Sequence, residues 1–492
     1  MGRVSKRASA AWLLLTAIAL LVSACGNDAA ADRIPPQIHK IRHVIVVMQE
    51  NRSFDNYFGT YPGADGIPAA VLHGKDCNPD PKLHTCVRPY HDTHQVDVGG
   101  PHTADSAIAD VNGGRMNGFV RQLRRAVHGT CTHNPDIPDC VLDQRRADVM
   151  GYHTAAEIPN YWEYAHHFVL QDHLFSSNLG WSVPAHLSMV SGWSAHCASA
   201  TNPMSCTSWD GSRAEHLGSH ESRPHVGEIR FPWTDLTYLL AQHHVTWRYY
   251  VEKGMRPDCP DGTVICPSKA QSPHTPSIWN PLPHFLDVHT DHQVLNVQDS
   301  SHFFAAAKAG NLPSVSWIVP SQRTSEHPPA AIWRGQAWVT RIVNSVMQSP
   351  DWKSSAIFIA WDDWGGFYDS VAPPQVDSIG YGMRVPGLLI SPYARRGFID
   401  HQTLSFDAYL KFIEDDFLGG ERIDPATDGR PDSRPDVREN APQLGDLIKE
   451  FDFNQPARPP MLLPPIPNPV RRCAVARDQK CHSTRHRRTR PG

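Results

Sequence analysis

Two short apolar runs that end on oxygen-bearing residues constrain the fold of this chain more than any other feature. The first, His43–Met48, leads into Gln49-Glu50-Asn51, and the second, Ala356–Trp361, leads into Asp362-Asp363. Uninterrupted apolar runs of this length are typical of strands that are buried on both faces of a parallel sheet. Because the carboxyl ends of neighbouring parallel strands open onto one crevice, we expect the two polar ends to meet there.

Further apolar runs alternate with helical patterns between about residues 38 and 454, which predicts one α/β domain with a mostly parallel sheet flanked by helices. The other candidate strands are Phe168–Gln171, Val245–Tyr250, Ser314–Val319 and Val385–Ser391. Amphipathic spacing predicts helices over Trp338–Met347 and Ser405–Phe417. Long insertions over residues 60–100 and 195–230 are expected to form the walls of a site on the sheet.

The amino-terminal residues have the three regions of a secretory signal: a basic start, an apolar stretch, and the small residues that precede Cys25. A small-residue run ending in Cys is the pattern of bacterial lipoproteins, in which Cys25 becomes the lipidated first residue. Residues 1–25 are therefore predicted to be a lipoprotein signal peptide and residues 26–37 a polar tether. An ordinary signal peptide cut nearby and an uncleaved anchor are the alternatives. We expect an exported protein, either a membrane-attached envelope lipoprotein or an extracellular one.

The spacing of the other cysteines supports export. Removing Cys25 from the 11 cysteines leaves ten, an even number that suits an oxidising compartment. A metal bound by cysteines is the weaker alternative, because no C-x-x-C occurs. The economical pattern is five local disulfides within loops: Cys77 with Cys86, Cys131 with Cys140, Cys197 with Cys206, Cys259 with Cys266, and Cys473 with Cys481.

Charge and composition give little information about partners, except at the carboxyl-terminal end. With 46 basic and 50 acidic residues, the formal charge of −4 provides no overall attraction to nucleic acid, and none is expected as a partner. Residues 455–469 are rich in proline and are expected to be extended and to wrap the domain. Residues 471–492 form a basic tail, which is either solvated or attracted to an anionic envelope.

The two strand-end doublets carry the types of ligand that a hard divalent cation prefers. Glu50-Asn51 offers a carboxylate and a carboxamide oxygen, and Asp362-Asp363 offers two carboxylates. Asn51 as a helix N-cap and a solvated acidic pair on a surface loop are the structural alternatives. A buried pair of carboxylates is costly without a cation, which favours the metal site. Gly365-Gly366 follows the acidic pair and would let backbone pass close to a ligand or metal.

Three further residues are candidates for the chemistry. Ser182 precedes Val183-Pro184, so its hydroxyl is expected at the start of a helix, where free amides and the helix dipole favour an anion. A serine that merely caps the helix is the alternative. His102 and His327 lie in Gly- and Pro-containing loops, and either could hold a phosphoryl oxygen or protonate a leaving group, or be a neutral core residue.

Three stretches resemble a known family: Val46–Gly59, Ser325–Pro329 and Trp361–Asp369. They are similar to the bacterial phosphoesterase family that contains non-haemolytic-type phospholipases C and secreted acid phosphatases, and the resemblance extends over about residues 41–417. It implies an alkaline-phosphatase-like fold and a divalent metal ion. The residues that match the family's pattern are the ligands Glu50, Asn51, Asp362 and Asp363, the nucleophile Ser182, which also contacts the metal, the phosphoryl-contacting His102 and His327, and, by a guess, His284.

The resemblance implies a metal-dependent phosphoesterase that works through a phosphoserine and acts on phospholipids in the manner of a phospholipase C. Alternatives are an acid phosphatase that takes monoesters, and a catalytically impaired lipoprotein that binds an envelope partner. Asp363 and Ser370 differ from the Glu and His of many relatives, which puts metal distance and activity in question. Trp279 and the stretch Trp247–Tyr250 could form a cage for a choline-like cation or belong to the core.

Overall fold

The structure is a computed structural model that describes residues 34–133, 147–209, 229–258, 268–273, 277, 279–377, 379–431 and 438–467, with side chains of 127–133 left out. The chain divides into one unit, Met1–Gln37, and a second, Ile38–Gly492, which contains the fold. Cys25 and the basic tail lie outside the described residues. The pairs formed by Cys131, Cys259 and Cys473 lie wholly or partly outside them too.

An eight-stranded sheet forms the centre of the second unit, with strand order β4-β3-β5-β1-β6-β7-β2-β8. Strand β7 runs antiparallel to both of its neighbours, and every other pair is parallel. The predicted mostly parallel sheet is therefore confirmed. In chain order the strands are β1 (His43–Gln49), β2 (Val169–Gln171), β3 (Trp247–Val251), β4 (Val297–Asp299), β5 (Val315–Val319), β6 (Ser355–Trp361), β7 (Gly387–Ile390) and β8 (Phe398–Asp400).

The central strands are the ones whose sequences are most apolar. All residues of β6, and all of β1 after His43, are buried, as expected for strands covered on both faces. All six predicted strands are present, although the one predicted over Val385–Ser391 is shorter and is the antiparallel β7. The edge strands β4 and β8 were not predicted, because three residues are too few for a periodic signal.

Helices flank the sheet, and both predicted helices are confirmed within α10 and α11. No helix in the described ranges is long and apolar enough to span a lipid bilayer. The helices are α1 (Phe54–Phe58), α2 (Ala69–Leu72), α3 (Ala104–Val111), α4 (Phe119–His133), α5 (Pro159–His167), α6 (Ser182–Ser191), α7 (Leu236–Gln242), α8 (Leu286–Thr290), α9 (Ser300–Ala309), α10 (Ile332–Gln348) and α11 (Phe406–Phe417).

Two of the predicted disulfides close small hairpins in the insertions. Cys77 bonds to Cys86 beside the antiparallel ladder of Asn78–Asp80 with Thr85–Val87. Cys197 bonds to Cys206 across the ladder of Ala195–Cys197 with Cys206–Ser208. Both pairings are confirmed. Two further short ladders join Tyr90–His91 to Gly151–Tyr152 and Gly254–Met255 to Ala270–Gln271.

The proline-rich segment wraps the domain, as its composition predicts. The guanidinium of Arg458 donates to the carbonyl oxygen of His167 at 2.7 Å, and the carbonyl of Arg458 accepts from the indole of Trp352 at 2.9 Å. Farther along, the carbonyl of Leu463 accepts from the Asn344 amide at 2.7 Å. These bonds tie an extended segment without a backbone ladder to α5, α10 and the turn before β6.

Candidate active site

The two strand-end doublets meet at the carboxyl edge of the sheet. Gln49 at the end of β1 pairs with Trp361 at the end of β6, so the residues that follow are side by side. The amide of Asp362 donates to the Gln49 carbonyl at 3.0 Å, and the amide of Asn51 donates to Asp362 Oδ1 at 2.9 Å. The expected convergence is therefore observed.

Asp363 joins both doublets to Ser182. Its Oδ1 accepts hydrogen bonds from the Asn51 side-chain amide at 3.1 Å and from the Gly365 backbone at 2.7 Å. Its Oδ2 accepts the Ser182 hydroxyl at 3.2 Å. Asp363, Asn51 and Ser182 are each fully buried, so one carboxylate fixes the relative positions of a candidate ligand and the candidate nucleophile.

The backbone at Asn51 is in the left-handed region, with φ of +56°. Asparagine tolerates this conformation better than most residues. The N-cap of α1 is Ser53, whose hydroxyl accepts from the Asn56 amide, so the capping alternative for Asn51 is wrong. Asn51 is free to direct its carboxamide into the site.

Gly365 and Gly366 allow three backbone segments to approach closely. Gly365 has φ of +60°, and a Cβ there would lie 2.6 Å from the Asn51 carbonyl oxygen. A Cβ at Gly366 would lie 2.5 Å from Gly100 Cα, and the Gly100 amide donates to the Gly365 carbonyl at 2.9 Å. This contact positions the loop that carries His102. The close approach here is between protein backbones, and the predicted approach to a ligand or metal stays a prediction.

Ser182 is the first residue of α6 rather than its cap. The N-cap is Trp181, which offers no side-chain hydrogen bond to the first turn. The free amides of a helix start, together with the helix dipole, favour an anion beside the Ser182 hydroxyl. A phosphoryl group is an anion of this kind.

His186 completes the group of candidate ligands and was missed from the sequence. Its Nε2 lies 3.3 Å from Glu50 Oε1 and 3.6 Å from Asp362 Oδ2, and all three side chains are fully buried. His186 follows Ser182 by one turn of α6, which places both on the same face of the helix. That four-residue spacing was the available signal.

The buried carboxylates are arranged as a cation would require. Burial and the Asp362 charge raise the pKa of Glu50 and of Asp363 well above their usual values. Burial alone would raise the pKa of Asp362 too, but contact with His186 lowers it to about 2. Three buried oxygens have no hydrogen-bond partner: Glu50 Oε2, Asn51 Oδ1 and Asp362 Oδ2. Buried polar atoms are normally satisfied, so this donor set fits a divalent metal ion.

His102 and His327 come together on a second carboxylate, Asp258, which was also missed from the sequence. His102 Nε2 lies 3.0 Å from Asp258 Oδ2, and His327 Nε2 lies 3.1 Å from Asp258 Oδ1. The two imidazole rings meet edge to face with centroids 5.7 Å apart. Asp258 lies beyond the end of β3 and His327 beyond the end of β5, and these strands are neighbours.

Electrostatic interactions link the cluster of His102, Asp258 and His327 to Asp363. Burial would lower the pKa of His102, but the charge of Asp363 and the bond to Asp258 raise it to about 10. Burial would raise the pKa of Asp258, but the charges of His327 and His102 hold it well below its usual range. The His102 imidazole therefore presents positive charge toward Asp363.

Glu326, next to His327, points away from the cluster and anchors its loop. Its carboxylate accepts hydrogen bonds from the Tyr161 hydroxyl at 2.6 Å, the Tyr57 hydroxyl at 2.7 Å and the Trp361 indole at 3.0 Å. Burial raises the pKa of Glu326 to about 7 despite these donors. These three hydrogen bonds thus fix the loop that carries His327.

The other residues singled out from the sequence make different contacts. The ring of His284 is buried against Phe231, with centroids 5.8 Å apart, and its substrate contact stays a prediction. The Ser370 amide donates to Asp55 at 2.8 Å within the buried network around Arg384. Trp279, Trp247, Tyr249 and Tyr250 are buried. Trp279 and Tyr249 lie close enough to Glu50 to interact with its carboxylate, and a cage for a choline-like cation stays a prediction.

Residues 41–418 match the Phosphoesterase family. The chain is 25% identical to the non-hemolytic phospholipase C of Pseudomonas aeruginosa over 91% of its own length and 62% of that protein. It is 25% identical to phospholipase C B of Mycobacterium tuberculosis, over 87% of this chain and 81% of that one. A phosphonate monoester hydrolase of Agrobacterium radiobacter shares 8% identity at a TM-score of 0.32, over 77% and 78% of the two chains.

The chain thus spans less than two thirds of the length of its Pseudomonas relative. The family match covers both strand-end doublets, Ser182, and the loops of His102 and His327. The chain belongs to the Phosphoesterase family, a family of hydrolases acting on phosphoric ester bonds.

Proposed function

We propose that this protein is a metal-dependent phosphoesterase of the phospholipase C type, with Ser182 as its nucleophile. The observation that carries the proposal is the position of the Ser182 hydroxyl. It lies at an uncapped helix start, 3.2 Å from Asp363 and beside a buried group of oxygens that lack partners. The names of the two bacterial relatives support a phospholipid as substrate.

The residues that would hold the metal ion are Glu50, Asn51, Asp362 and Asp363, with Ser182 and His186 beside them. A bound divalent ion supplies Lewis-acid stabilisation of charge on phosphoryl oxygens and lowers the pKa of a nearby hydroxyl. The uncapped amides of α6 contribute to binding the same phosphoryl group. Oxygen ligands with one imidazole suit several divalent ions.

The first chemical step forms a phosphoserine. Ser182 Oγ attacks phosphorus, its proton passes to Asp363 Oδ2, and the bond from phosphorus to the departing oxygen breaks. The departing oxygen leaves as an alcohol after it takes a proton from solvent. Water then attacks phosphorus, the bond from phosphorus to Ser182 Oγ breaks, and the phosphate product leaves. Ser182 Oγ takes back the proton held by Asp363, and the proton of the attacking water passes to solvent.

Within the cluster of His102, Asp258 and His327, His102 contributes charge rather than a proton. Both ring nitrogens of His102 are already bonded, Nδ1 to the Gly100 carbonyl and Nε2 to Asp258. A histidine in this arrangement cannot protonate a departing oxygen without first leaving Asp258. Positive charge beside Asp363 still stabilises the phosphoryl group in the transition state.

Replacing Ser182 with Ala tests the proposal. Hydrolysis of phosphatidylcholine and of an aryl phosphate monoester would be measured with and without a chelator. We expect Ser182→Ala to lose at least about 10³-fold in kcat, because the nucleophile itself is removed. Ser188→Ala is the matched control, since Ser188 is a buried serine on the same helix, and it should stay within a few-fold of the parent.

The two substrates separate the possible activities. Turnover of phosphatidylcholine supports a phospholipase C, and turnover of the monoester alone would replace it with a phosphatase. Full activity of Ser182→Ala, or full activity after chelation, would refute the nucleophile or the metal requirement. Attachment to a membrane through Cys25 stays a prediction from the sequence, because Cys25 lies outside the described residues.

A further inference from the structure

A basic groove lies at the amino edge of the sheet, where the parallel strands begin, opposite to the candidate active site. Strand β7 runs antiparallel to β6, so the loop after β7 emerges at this edge, where β8 starts. The groove has a volume of about 510 Å³, which is in the range of sites that hold one small ligand. Its basic residues are Arg395, Arg396 and Lys449, and Phe398 and Phe451 also line it.

The three cations of the basic groove are exposed and bond to neutral partners. The Arg395 guanidinium donates to the Lys449 carbonyl at 3.4 Å, and the Lys449 ammonium donates to the Gln402 side chain at 3.1 Å. Arg396 Nη2 lies 3.5 Å from His167 Nδ1. Within the described ranges none of the three forms an ion pair with a carboxylate. Their positive charges are therefore available to an anion from outside the protein.

A fourth cation, Arg458, adjoins the basic groove. Its guanidinium donates to the His167 carbonyl and to the Ala394 carbonyl, both at 2.7 Å. Gln455, which lines the groove, donates to the same Ala394 oxygen at 3.1 Å. Burial and the positive charge of Arg396 lower the pKa of Arg458. Like charges therefore repel one another at this edge, and a bound anion would offset the repulsion.

Few acidic groups balance these cations. Of the described residues that line the basic groove, Asp452 is the one acid, and its carboxylate accepts from the Asn454 amide at 3.0 Å. Glu163 is the acidic neighbour of His167, with its carboxylate 3.4 Å from His167 Nε2. The three lining cations outnumber the one lining carboxylate. The groove therefore favours a ligand that carries negative charge.

The aromatic lining favours a lipid headgroup over a free anion. The Arg395 guanidinium stacks on the Phe398 ring, 3.7 Å from its centroid. Phe451 stacks on Phe453, with ring centroids 4.9 Å apart. Basic residues beside apolar rings are typical of surfaces that contact anionic bilayers, since the cations bind phosphate and the rings contact the apolar part of the lipid. A free phosphate ion has no apolar part for these rings to contact.

Lys40, near the start of the second unit, extends the basic surface. Its ammonium donates to the Phe453 carbonyl at 2.6 Å and lies 5.2 Å from the centroid of the Tyr393 ring. The Tyr393 carbonyl in turn accepts from the amide of Asp452, which lines the basic groove. Lys40 follows the predicted lipidation site, Cys25, by fifteen residues, a length of chain that spans at most about 50 Å. A lipid on Cys25 would therefore keep this surface near a membrane.

We propose that the basic groove binds the phosphate headgroup of an anionic phospholipid and holds the amino edge of the sheet against a membrane surface. This interaction goes beyond the proposed function, which concerns the opposite edge of the sheet. Since Ser182 and Asp363 lie at the carboxyl edge, the bound lipid is a ligand and not the substrate. The active site of a protein held in this way stays open to solvent.

Binding to lipid vesicles tests the proposal without reference to activity. The purified full-length protein would be sedimented, in the presence of a chelator, with vesicles of phosphatidylcholine alone or mixed with an equal part of phosphatidylglycerol. A lipid on Cys25 would insert into both, so the difference in affinity reports the headgroup. We expect the parent to prefer the anionic vesicles. The double substitution Arg395→Gln and Arg396→Gln should weaken that binding about 30-fold, because each cation at an anionic surface contributes about fivefold.

Two further variants make the test specific to the groove. Arg88→Gln with Arg115→Gln removes two exposed arginines from the insertion after β1 and should leave the preference within a few-fold of the parent. Asp452→Asn removes the lining carboxylate and should raise affinity for the anionic vesicles about fivefold. A gain of this kind does not arise from misfolding. Hydrolysis of a soluble monoester should be unchanged in all three variants.

Three outcomes would overturn the proposal. One is equal affinity of the parent for the two kinds of vesicle. Another is an equal loss in the groove variant and the control variant, or no loss in either, which would assign the attraction to overall charge or to the basic tail. The third is saturable binding of inorganic phosphate, measured by calorimetry, without any preference for anionic vesicles, which would replace the lipid with a free anion. Since sedimentation does not depend on turnover, an inactive parent that binds as expected would refute the proposed function alone.

Discussion

Gly365→Ala is the sharpest test of how the backbone positions Asn51 in the proposed metal site. Gly365 has φ of +60°, a conformation that costs a residue with a Cβ about 1–2 kcal/mol. The new Cβ would lie 2.6 Å from the Asn51 carbonyl oxygen and 2.8 Å from Asn51 Cβ, well inside the 3.4 Å of ordinary contact. Relief of the shorter contact requires a shift of about 0.8 Å, and Asn51 is the residue that must move.

Gly113→Ala provides the matched control. Gly113 also has a positive φ, +65°, but its Cβ would meet nothing within 4 Å. Both substitutions should therefore lower the free energy of unfolding by the shared backbone cost of about 1–2 kcal/mol. Only Gly365→Ala should add the cost of overpacking, about 1–3 kcal/mol, because its surroundings are fully buried.

The functional difference should be larger than the difference in stability. Displacement of a ligand by nearly 1 Å costs about 10²-fold in rate, so Gly365→Ala should lose about that much kcat and bind metal more weakly. Gly113→Ala should keep both within a few-fold. Urea denaturation, metal titration and hydrolysis of the monoester measure the three quantities. Equal activity and equal metal affinity in the two variants would refute the role given to Asn51.

Three further outcomes follow from the buried charges. His186→Gln should weaken metal binding at the group around Glu50 by about 10–100-fold and reduce the preference of that group for Zn²⁺ over Mg²⁺, because a nitrogen donor is replaced. Competition titration measures both quantities. An unchanged preference would exclude His186 as a ligand. Arg384→Leu should lower the free energy of unfolding by about 3–5 kcal/mol, because it leaves two buried carboxylates without their cation. These are Asp369, 2.9 Å from the Arg384 guanidinium, and Asp55, 3.2 Å from it. A loss below about 1 kcal/mol in urea denaturation would contradict this. Burial raises the pKa of Asp110 well above its usual value of 3.8. The folded protein is therefore most stable with respect to this group below pH 3.8 and loses that stability as the pH rises, because the unfolded chain ionises first. Asp110→Asn should therefore gain stability relative to the parent between pH 5 and pH 8, and parallel pH profiles would count against it.

The sequence predicted the central strands because their signal is local. In β1 and β6 the apolar residues are consecutive, and the polar residues that follow mark the edge where the site lies. The direction of β7 carries no such signal, since an apolar run reads the same in a parallel and an antiparallel strand. Its orientation depends on the path of the chain after β6, which only the assembled structure determines.

The two site residues missed from the sequence, His186 and Asp258, differ in whether a local pattern could have revealed them. His186 was within reach, because helical spacing from Ser182 places it on the same face of α6. Asp258 was not, because no motif surrounds it and its partners His102 and His327 are distant in the sequence. It joins them because β3 lies beside β5, so that the loops after both strands open onto the same edge. Strand order is a tertiary property, and a local pattern does not contain it.

The contacts of Asp363 show how a side chain one methylene shorter than Glu fits this position. The resemblance implies a longer Glu at this position, but here both oxygens of Asp363 are already engaged, with Asn51, the Gly365 amide and Ser182. The Gly365 bond at 2.7 Å requires a carboxylate close to its own backbone, which the shorter side chain provides. An added methylene would have to break this bond or displace Ser182, because the residue is fully buried. The shorter carboxylate therefore fits its contacts with Ser182, Asn51 and the Gly365 turn, as the proposed function requires.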